Sequence, residues 1–287
     1  MTRQGKGGVA ITIATVASFW GGVVSTFALL LVAPLLAKFA LRFGPPEYFL
    51  LSILGLASIV TLTSGNLVKG LISGVLGLII ATVGTDPING YIRFTGGILD
   101  LYEGVSFMPA LIGLFSISQL LDLTGDASIV QELGADAKSL KDRKMPKGLW
   151  GTIWRGSFIG TIVGILPGAG ATISAFISYN MAKNLSKNPE TFGNGNPQGV
   201  AASESANNGC VGGSLVPLLT LGIPGNSVAA ALMGGLMVKN LIPGPELFSK
   251  HGVITYGFIL SLFLANIVFL LLGVFLAPYF AKVVTAD

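Results

Sequence analysis

The most unusual polar residues of this chain lie in the stretch 202–209, where a carboxylate and two amides interrupt small and apolar residues. Glu204 is the carboxylate, and Asn207 and Asn208 are the amides. A charge at the centre of a bilayer costs about 2.5 to 3.5 kcal/mol, so within a membrane Glu204 must be paired, hydrated or near an interface. Amides donate and accept hydrogen bonds, so this set could bind a carboxylate or coordinate a cation. The alternative is a polar helix cap at the membrane surface, since Ser203 before Glu204 suits a helix N-terminus.

Two Pro-Gly pairs interrupt apolar segments on either side of this stretch. Pro167 lies within 166–170, and Pro224 lies within 222–227. Proline removes a helix hydrogen bond and glycine lets the chain turn, so each pair predicts a helix break. The half-helices that follow would begin with unpaired backbone N–H groups, which together with the helix dipole favour a carboxylate by about 0.3 to 2 kcal/mol. A simple kink, or a loop at the bilayer surface, is the alternative for each break.

These observations predict a carboxylate-binding set and a cation site. The carboxylate-binding set takes residues from both breaks and from the amide pair: Pro167, Gly168, Ala169, Gly170, Thr172, Asn207, Asn208, Pro224, Gly225, Asn226 and Ser227. The cation site combines Glu204 with Asn207. Broken helices of this kind form the binding sites of several transporter folds.

Few residues are available for catalysis or for a tightly bound metal. Cys210 is the one cysteine and His251 the one histidine, so neither a disulfide within the chain nor a site built from several Cys or His ligands is expected. The sequence contains no GxxxxGK[ST] loop, so we expect no ATP-driven motor in this chain. We therefore expect neither a catalytic nor a metal site, and no cofactor other than a coupling cation, either a proton or sodium.

The elements that would position these residues are membrane helices. Charged residues make up 10% of the 287, and 52% are apolar, a composition that a soluble fold could not bury. Residues 9–37 and 253–281 contain no charge, and each run exceeds the roughly 20 residues that cross a bilayer core. We predict an all-α, multi-pass membrane protein with seven to nine membrane segments, several of them broken. The net charge of +4 is scattered between apolar segments, which favours topology signals over nucleic-acid binding.

A polar region divides the chain into two membrane parts. Residues 1–121 form the first part, 122–149 the polar region, and 150–287 the second part with both breaks. The second half of the polar region is rich in Lys and Arg, which predicts a cytoplasmic loop. Trp150 and Trp154 follow it, where an interfacial aromatic belt would place them.

An internal repeat relates the two ends of the chain. An offset of 244 residues pairs Lys6 with Lys250, and it also pairs Gly8 with Gly252, Phe19 with Phe263, Pro34 with Pro278 and Lys38 with Lys282. Aligned Lys, Gly and Pro residues at both ends are harder to obtain by chance than aligned Val or Ala. We therefore predict a duplicated architecture, and we expect the chain to be a fragment of a duplicated protein, without the start of the first copy and the end of the second.

Several motifs together are similar to one known family. The motifs are GILPGAG (164–170), SKNPETFG (186–193), GVAASESANN (199–208), PLLTLGIPG (217–225) and GPELF (244–248), with RQG (3–5), FGPPEYF (43–49) and ATVGTDP (81–87) upstream. They closely resemble the large membrane subunit, the permease, of the tripartite tricarboxylate transporter family. The resemblance covers essentially the whole chain, although Ser203 stands where the family more often shows proline.

The resemblance implies a permease of the bacterial inner membrane that works with a small membrane subunit and a periplasmic solute-binding protein. It implies uptake of tricarboxylates or related organic carboxylates, driven by a cation gradient. Two other functions stay open. One is a truncated remnant that does not transport, and the other is a membrane-embedded enzyme, although the sequence lacks the cluster of acid, base or metal-binding residues that an enzyme would need.

Overall fold

The computed structural model describes residues 1, 4–62, 67–86, 89–106, 109–110, 113–114 and 144–276. Within these ranges the regular secondary structure is helical apart from one minimal sheet, in which Gly84–Thr85 (β1) pairs antiparallel with Ile92–Arg93 (β2). An ion pair between Arg93 and Asp86, at 2.9 Å, lies beside this sheet. The predicted all-α class is therefore confirmed, with this short hairpin as the one exception among the described residues.

Nine α-helices follow one another along the described parts of the chain. They are α1 (Gly7–Ala40), α2 (Pro45–Leu62), α3 (Leu67–Ala81), α4 (Trp150–Ile165), α5 (Gly170–Leu185), α6 (Pro197–Leu221), α7 (Ser227–Val238), α8 (Glu246–Lys250) and α9 (Gly252–Phe275). Short 3₁₀ turns occur at Leu99–Leu101 and Pro189–Thr191. Most of the predicted polar loop, 122–143, lies outside the described residues.

Helix α6 lies at the centre of the fold and packs against α1, α4 and α5. Small residues let the backbones approach closely at these crossings. A Cβ on Gly21 of α1 would collide with the carbonyl oxygen of Ser205, and one on Gly160 of α4 would collide with that of Ala206. A Cβ on Gly213 of α6 would likewise collide with the carbonyl oxygen of Thr161. Helices in membranes associate largely through such small-residue contacts, because lipid provides little hydrophobic drive.

Helices α1 and α9 are the two described helices that are long and apolar enough to cross a membrane. At 1.5 Å per residue their 34 and 24 residues are each longer than the roughly 30 Å hydrocarbon core. Apolar side chains on the outer side of α9, such as Val253, Leu264 and Phe275, are 63% to 90% exposed within the chain. A surface of this kind suits contact with lipid.

Trp150 and Trp154, at the start of α4, belong to one aromatic cluster. Both rings pack against Trp20 of α1, with ring centroids 5.8 Å and 5.5 Å apart, and Trp154 also stacks on Phe158. The two α4 tryptophans are 48% and 42% exposed. They therefore join α1 to α4 while presenting their outer faces at the surface, as amphipathic rings of an interfacial belt do.

Candidate functional site

The break between α4 and α5 lies at the predicted proline. Helix α4 ends at Ile165, Leu166 is extended, and α5 begins at Gly170, so Pro167 lies in the connecting turn. Gly168 and Gly170 have φ of +83° and +68°, in the left-handed region where side chains other than glycine are strained. The glycines therefore allow the chain to end one helix and begin another within four residues.

At the break between α6 and α7, a glycine caps the C-terminus of α6 and an asparagine caps the N-terminus of α7. Gly222 ends α6 in the left-handed conformation, with φ of +71°, and its N–H donates to Leu218 O. Asn226 caps α7, because its Oδ1 accepts from the N–H of Ala229 at 2.8 Å. Pro224 and Gly225 lie between the two. The Asn226 side chain is therefore engaged in starting the helix.

The two breaks contact each other, and we call the residues 166–169 and 222–226 the break junction. The Gly168 N–H donates to Gly225 O at 3.0 Å. Gly225 is buried, and a Cβ there would lie 2.9 Å from Ser214 Cβ and 3.1 Å from Gly164 O. The peptide groups of these two glycines are thus paired with each other inside a tightly packed region.

A cavity of about 490 Å³ lies beside the junction, between α5 and α6. Its α5 wall starts in the first turn of that helix, and its α6 wall carries the unusual polar stretch. The lining residues are Ala171, Thr172, Ala175, Phe176, Tyr179, Ser203, Glu204 and Asn207. The cavity therefore combines apolar and aromatic surface with several hydrogen-bonding groups, as sites for small organic molecules commonly do.

Glu204 connects this cavity to α1. It is half-buried, and its carboxylate accepts a hydrogen bond from Ser18 Oγ at 3.1 Å. Ser18 is 3% exposed, so the contact lies inside the helix bundle. No lysine, arginine or histidine occurs among the residues lining the cavity. Glu204 is thus held by a neutral hydroxyl in a cavity without a balancing positive side chain.

Asn207 and Asn208 have different surroundings although they are adjacent in sequence. Asn207 lines the cavity. Asn208 faces α1, where its backbone oxygen accepts from Ser25 Oγ at 3.4 Å, and its Nδ2 donates to Glu204 O at 3.3 Å. The side chain of Asn207 is thus available to a ligand. The side chain of Asn208 is engaged within α6, and only its backbone oxygen bonds to α1.

The structure brings together three of the predicted site residues at the cavity: Thr172, Glu204 and Asn207. The residues from the breaks lie in the junction or at its helix starts, namely Pro167, Gly168, Ala169, Gly170, Pro224, Gly225, Asn226 and Ser227. Ser227 opens α7, and its side chain is outside the described part. The described residues contain no group of three His, Cys, Asp or Glu placed to hold a metal ion.

Two polar contributors were not predicted from the sequence. Ser18 lies within the charge-free run 9–37, where nothing nearby marks it, and it reaches Glu204 across 186 positions. Tyr179 enters the cavity from α5 and also packs edge-on against Phe192, with centroids 5.3 Å apart. Only the packing of α1 and α5 against α6 identifies either residue.

Comparison with known proteins identifies the family. The model of the tripartite tricarboxylate transporter TctA family matches residues 1–287. An uncharacterised 52.8 kDa protein of Agrobacterium vitis, from the TAR-I ttuC' 3' region, is 38% identical over 295 residues, which cover 99% of this chain and 57% of that protein. A second Agrobacterium vitis protein, from the TAR-II ttuC' 3' region, is 40% identical over 98 residues, which cover 34% of this chain and 40% of that protein.

No solved structure matches the chain. The chain spans a little over half the length of the 52.8 kDa relative. The family match extends over every residue, including both breaks and the polar stretch of α6, and it confirms the resemblance found from the motifs. The chain belongs to the TctA family of tripartite tricarboxylate transporters.

Proposed function

We propose that this chain forms the substrate-binding part of a permease that takes up tricarboxylates or related organic carboxylates, driven by a cation gradient. The observation that carries the proposal is the α5–α6 cavity, in which the first turn of a half-helix meets Thr172, Asn207 and Glu204. Because the chain covers 57% of its 52.8 kDa relative, the activity is proposed for the complete permease.

The first turn of α5 supplies the attraction for a carboxylate. The first N–H groups of a helix lack partners within the helix, and the dipole places partial positive charge at this end. Ala171 and Thr172 lie on this turn and line the cavity. The hydroxyl of Thr172 and the amide of Asn207 add neutral donors. Together these groups favour an anion and direct its oxygens without a lysine or arginine in the lining.

Glu204 makes a coupling cation necessary for this site. Two unit negative charges about 5 Å apart repel by about 3 kcal/mol at an effective dielectric constant of about 20. With a second carboxylate in the cavity, that repulsion would cancel what the helix end contributes. A proton or sodium ion on Glu204, with Asn207 as a neighbouring oxygen donor, removes the repulsion. Substrate and cation would therefore bind together, which is the requirement for symport.

The wider assembly follows from the family. A tripartite transporter needs two further components, for which we propose a small membrane subunit and a periplasmic solute-binding protein. The site would then lie in a multi-pass protein of the bacterial inner membrane. A remnant that does not transport, and a membrane-embedded enzyme, are the alternatives, and no specific contact among the described residues favours either one.

The test of the carboxylate site is uptake of radiolabelled citrate by the complete permease with its partner subunits. Asn207→Ala and Thr172→Ala each remove a hydrogen bond to the substrate. We expect each substitution to reduce uptake at low citrate by about tenfold, which corresponds to about 1.4 kcal/mol of binding. Asn184→Ala is the matched control, because Asn184 is exposed at the far end of α5 and does not line the cavity.

Unchanged uptake in both cavity variants would rule out this site. If the parent permease transports no citrate, the same variants are compared with a panel of labelled di- and tricarboxylates. Failure to transport any member of that panel would contradict the proposed carboxylate substrate.

A further inference from the structure

Helices α1 and α9 occupy equivalent places in the internal repeat. The offset of 244 pairs Lys6 with Lys250 and Gly8 with Gly252. Helix α1 begins at Gly7 and α9 begins at Gly252, so the two helices start within one residue of equivalent positions. The internal repeat in the sequence thus corresponds to two helices that begin at equivalent positions.

The same two helices pack against each other, and their contacts run in opposite directions. Thr15 of α1 meets Gly273 of α9. Further along α1, Phe27 meets Phe263, with ring centroids 4.7 Å apart. As the residue number rises on α1, that of the partner on α9 falls. The helices are therefore antiparallel.

The crossing point coincides with the repeat. The side chain of Asn266 fills the space that a Cβ on Gly22 would occupy, and these two residues are 244 positions apart. They are therefore equivalent positions in contact with each other. When two equivalent helices are related by a two-fold axis, a residue next to that axis touches its own equivalent, as in an isologous interface.

A two-fold axis requires that each contact between α1 and α9 has an equivalent contact on the other side of the crossing, and the Thr15–Gly273 contact can be checked in this way. The offset makes Thr15 equivalent to Ile259 and Leu29 equivalent to Gly273. The contact of Thr15 with Gly273 therefore implies proximity of Leu29 and Ile259. Both are completely buried in the same core cluster. Burial of this mirrored pair in one core cluster is what the repeat predicts.

We infer that α1 and α9 are equivalent helices of an inverted-topology repeat, related by a pseudo-two-fold axis that passes between Gly22 and Asn266. Both helices are long enough to span a membrane, so antiparallel packing places their equivalent ends on opposite faces. The axis then lies in the plane of the membrane. This inference goes beyond the proposed function and does not depend on which substrate the cavity binds.

The pseudo-two-fold axis relates the α5–α6 cavity to a second position in the permease. Helix α6, which carries Glu204, packs on α1. Rotation about the axis exchanges α1 with α9. It therefore carries the α5–α6 cavity to a position beside α9, on the opposite side of the membrane plane. Transporters with inverted repeats alternate their access by exchanging the conformations of two such halves. The cavity beside α1 would then be one of two related half-sites.

Single cysteines test the opposite orientation of the two helices. Lys6→Cys and Lys250→Cys place thiols at equivalent, exposed positions. The native Cys210 is 1% exposed, so the parent chain is the control for background labelling. Each variant of the full chain is treated with a membrane-impermeant maleimide in intact spheroplasts and in inside-out vesicles. We expect one position to be labelled only in spheroplasts and the other only in vesicles.

Disulfide cross-linking tests the two-fold relation itself. Phe27→Cys with Phe263→Cys should cross-link, because those rings touch. The offset converts this pair into Phe19 and Leu271, so Phe19→Cys with Leu271→Cys should cross-link to a similar extent. The control pair combines Phe27→Cys with Leu271→Cys. Its α9 position is eight residues from Phe263, about 12 Å along the helix, so we expect at least fivefold less cross-linking.

Labelling of Lys6→Cys and Lys250→Cys from the same side would overturn the inverted topology. Cross-linking of the Phe27–Phe263 pair without the Phe19–Leu271 pair would refute the two-fold axis. Neither outcome bears on citrate uptake, so failure of this inference is distinguishable from failure of the proposed function.

Discussion

At the level of single residues, the chemistry proposed for the cavity centres on Glu204. Its carboxylate is hydrogen-bonded by Ser18, and the lining offers no positive side chain to balance its charge. A carboxylate in such surroundings is most readily satisfied by a cation that arrives with the substrate. Ser18 therefore holds Glu204 at the cavity wall, and in the proposed function a coupling ion neutralises its charge.

Replacement of Glu204 by Gln should separate substrate binding from cation coupling. Glutamine has the shape of a neutralised glutamate, so the variant should bind citrate with little dependence on pH or sodium. It should exchange citrate across the membrane but lose accumulation against a gradient. Binding is measured by isothermal titration with the purified permease, and accumulation by uptake into energised vesicles.

Glu190→Gln is the matched control, because Glu190 is an exposed carboxylate in the turn before α6. It should retain accumulation and the cation dependence of the parent. Cation-dependent accumulation by the Glu204→Gln permease would exclude Glu204 as the coupling group.

At the level of helices, the break junction explains why two Pro-Gly pairs occur in one membrane domain. A break leaves backbone N–H and C=O groups without helical partners, which is costly away from water. The bond from Gly168 N–H to Gly225 O satisfies part of this demand, because each break supplies one partner. The first turn of α5 follows the junction directly, and its residues Ala171 and Thr172 line the cavity together with residues of α6.

Substitution of Gly225 by Ala should loosen the junction. The added Cβ would lie 2.9 Å from Ser214 Cβ and 3.1 Å from Gly164 O, so the backbone must move. We expect a loss of about 1 to 3 kcal/mol in stability, measured as a lower midpoint of thermal unfolding in detergent. Gly235→Ala is the control, because a Cβ there meets nothing within 4 Å.

The control change should be neutral or stabilise α7 by about 0.5 to 1 kcal/mol, since alanine favours a helix over glycine. Equal midpoints for the Gly225→Ala and Gly235→Ala proteins would show that the junction is not tightly packed.

At the level of the whole molecule, small hydroxyl side chains are buried among apolar ones, and the exterior carries many large apolar side chains. Serine and threonine side chains such as Ser25, Ser157 and Thr220 are fully buried between helices, each bonded to a backbone carbonyl. Large apolar side chains are exposed on α1, α3 and α9. A lipid environment favours this arrangement, because lipid accepts apolar side chains and leaves backbone and hydroxyl groups to pair internally.

The chain should therefore behave as an integral membrane protein. After expression, it should remain with the membranes through an alkaline carbonate wash and be released by detergent. Flotation of the carbonate-washed membranes in a sucrose gradient separates inserted protein from aggregates, which sediment. Recovery of the chain in the carbonate supernatant would contradict its membrane-spanning assignment.

Much of this organisation is local and could be predicted from the sequence. Charge-free runs predicted the helices α1 and α9, because only their length and composition matter for crossing a bilayer. Pro167 and Pro224 indicated where helices break, since proline and glycine act on the backbone at their own positions. The motifs around them were specific enough to predict the family, which the match over residues 1–287 confirms.

Only the tertiary structure decided which side chains share the cavity. Helix α6 is buried on several sides by small residues, so no apolar stripe reveals which face meets which neighbour. Its packing places the Asn207 side chain in the cavity, whereas the Asn208 side chain bonds to Glu204 O within α6, although the sequence treats the two amides alike. Contacts such as Ser18 with Glu204 join residues 186 positions apart, and composition and local propensity carry no information at that separation.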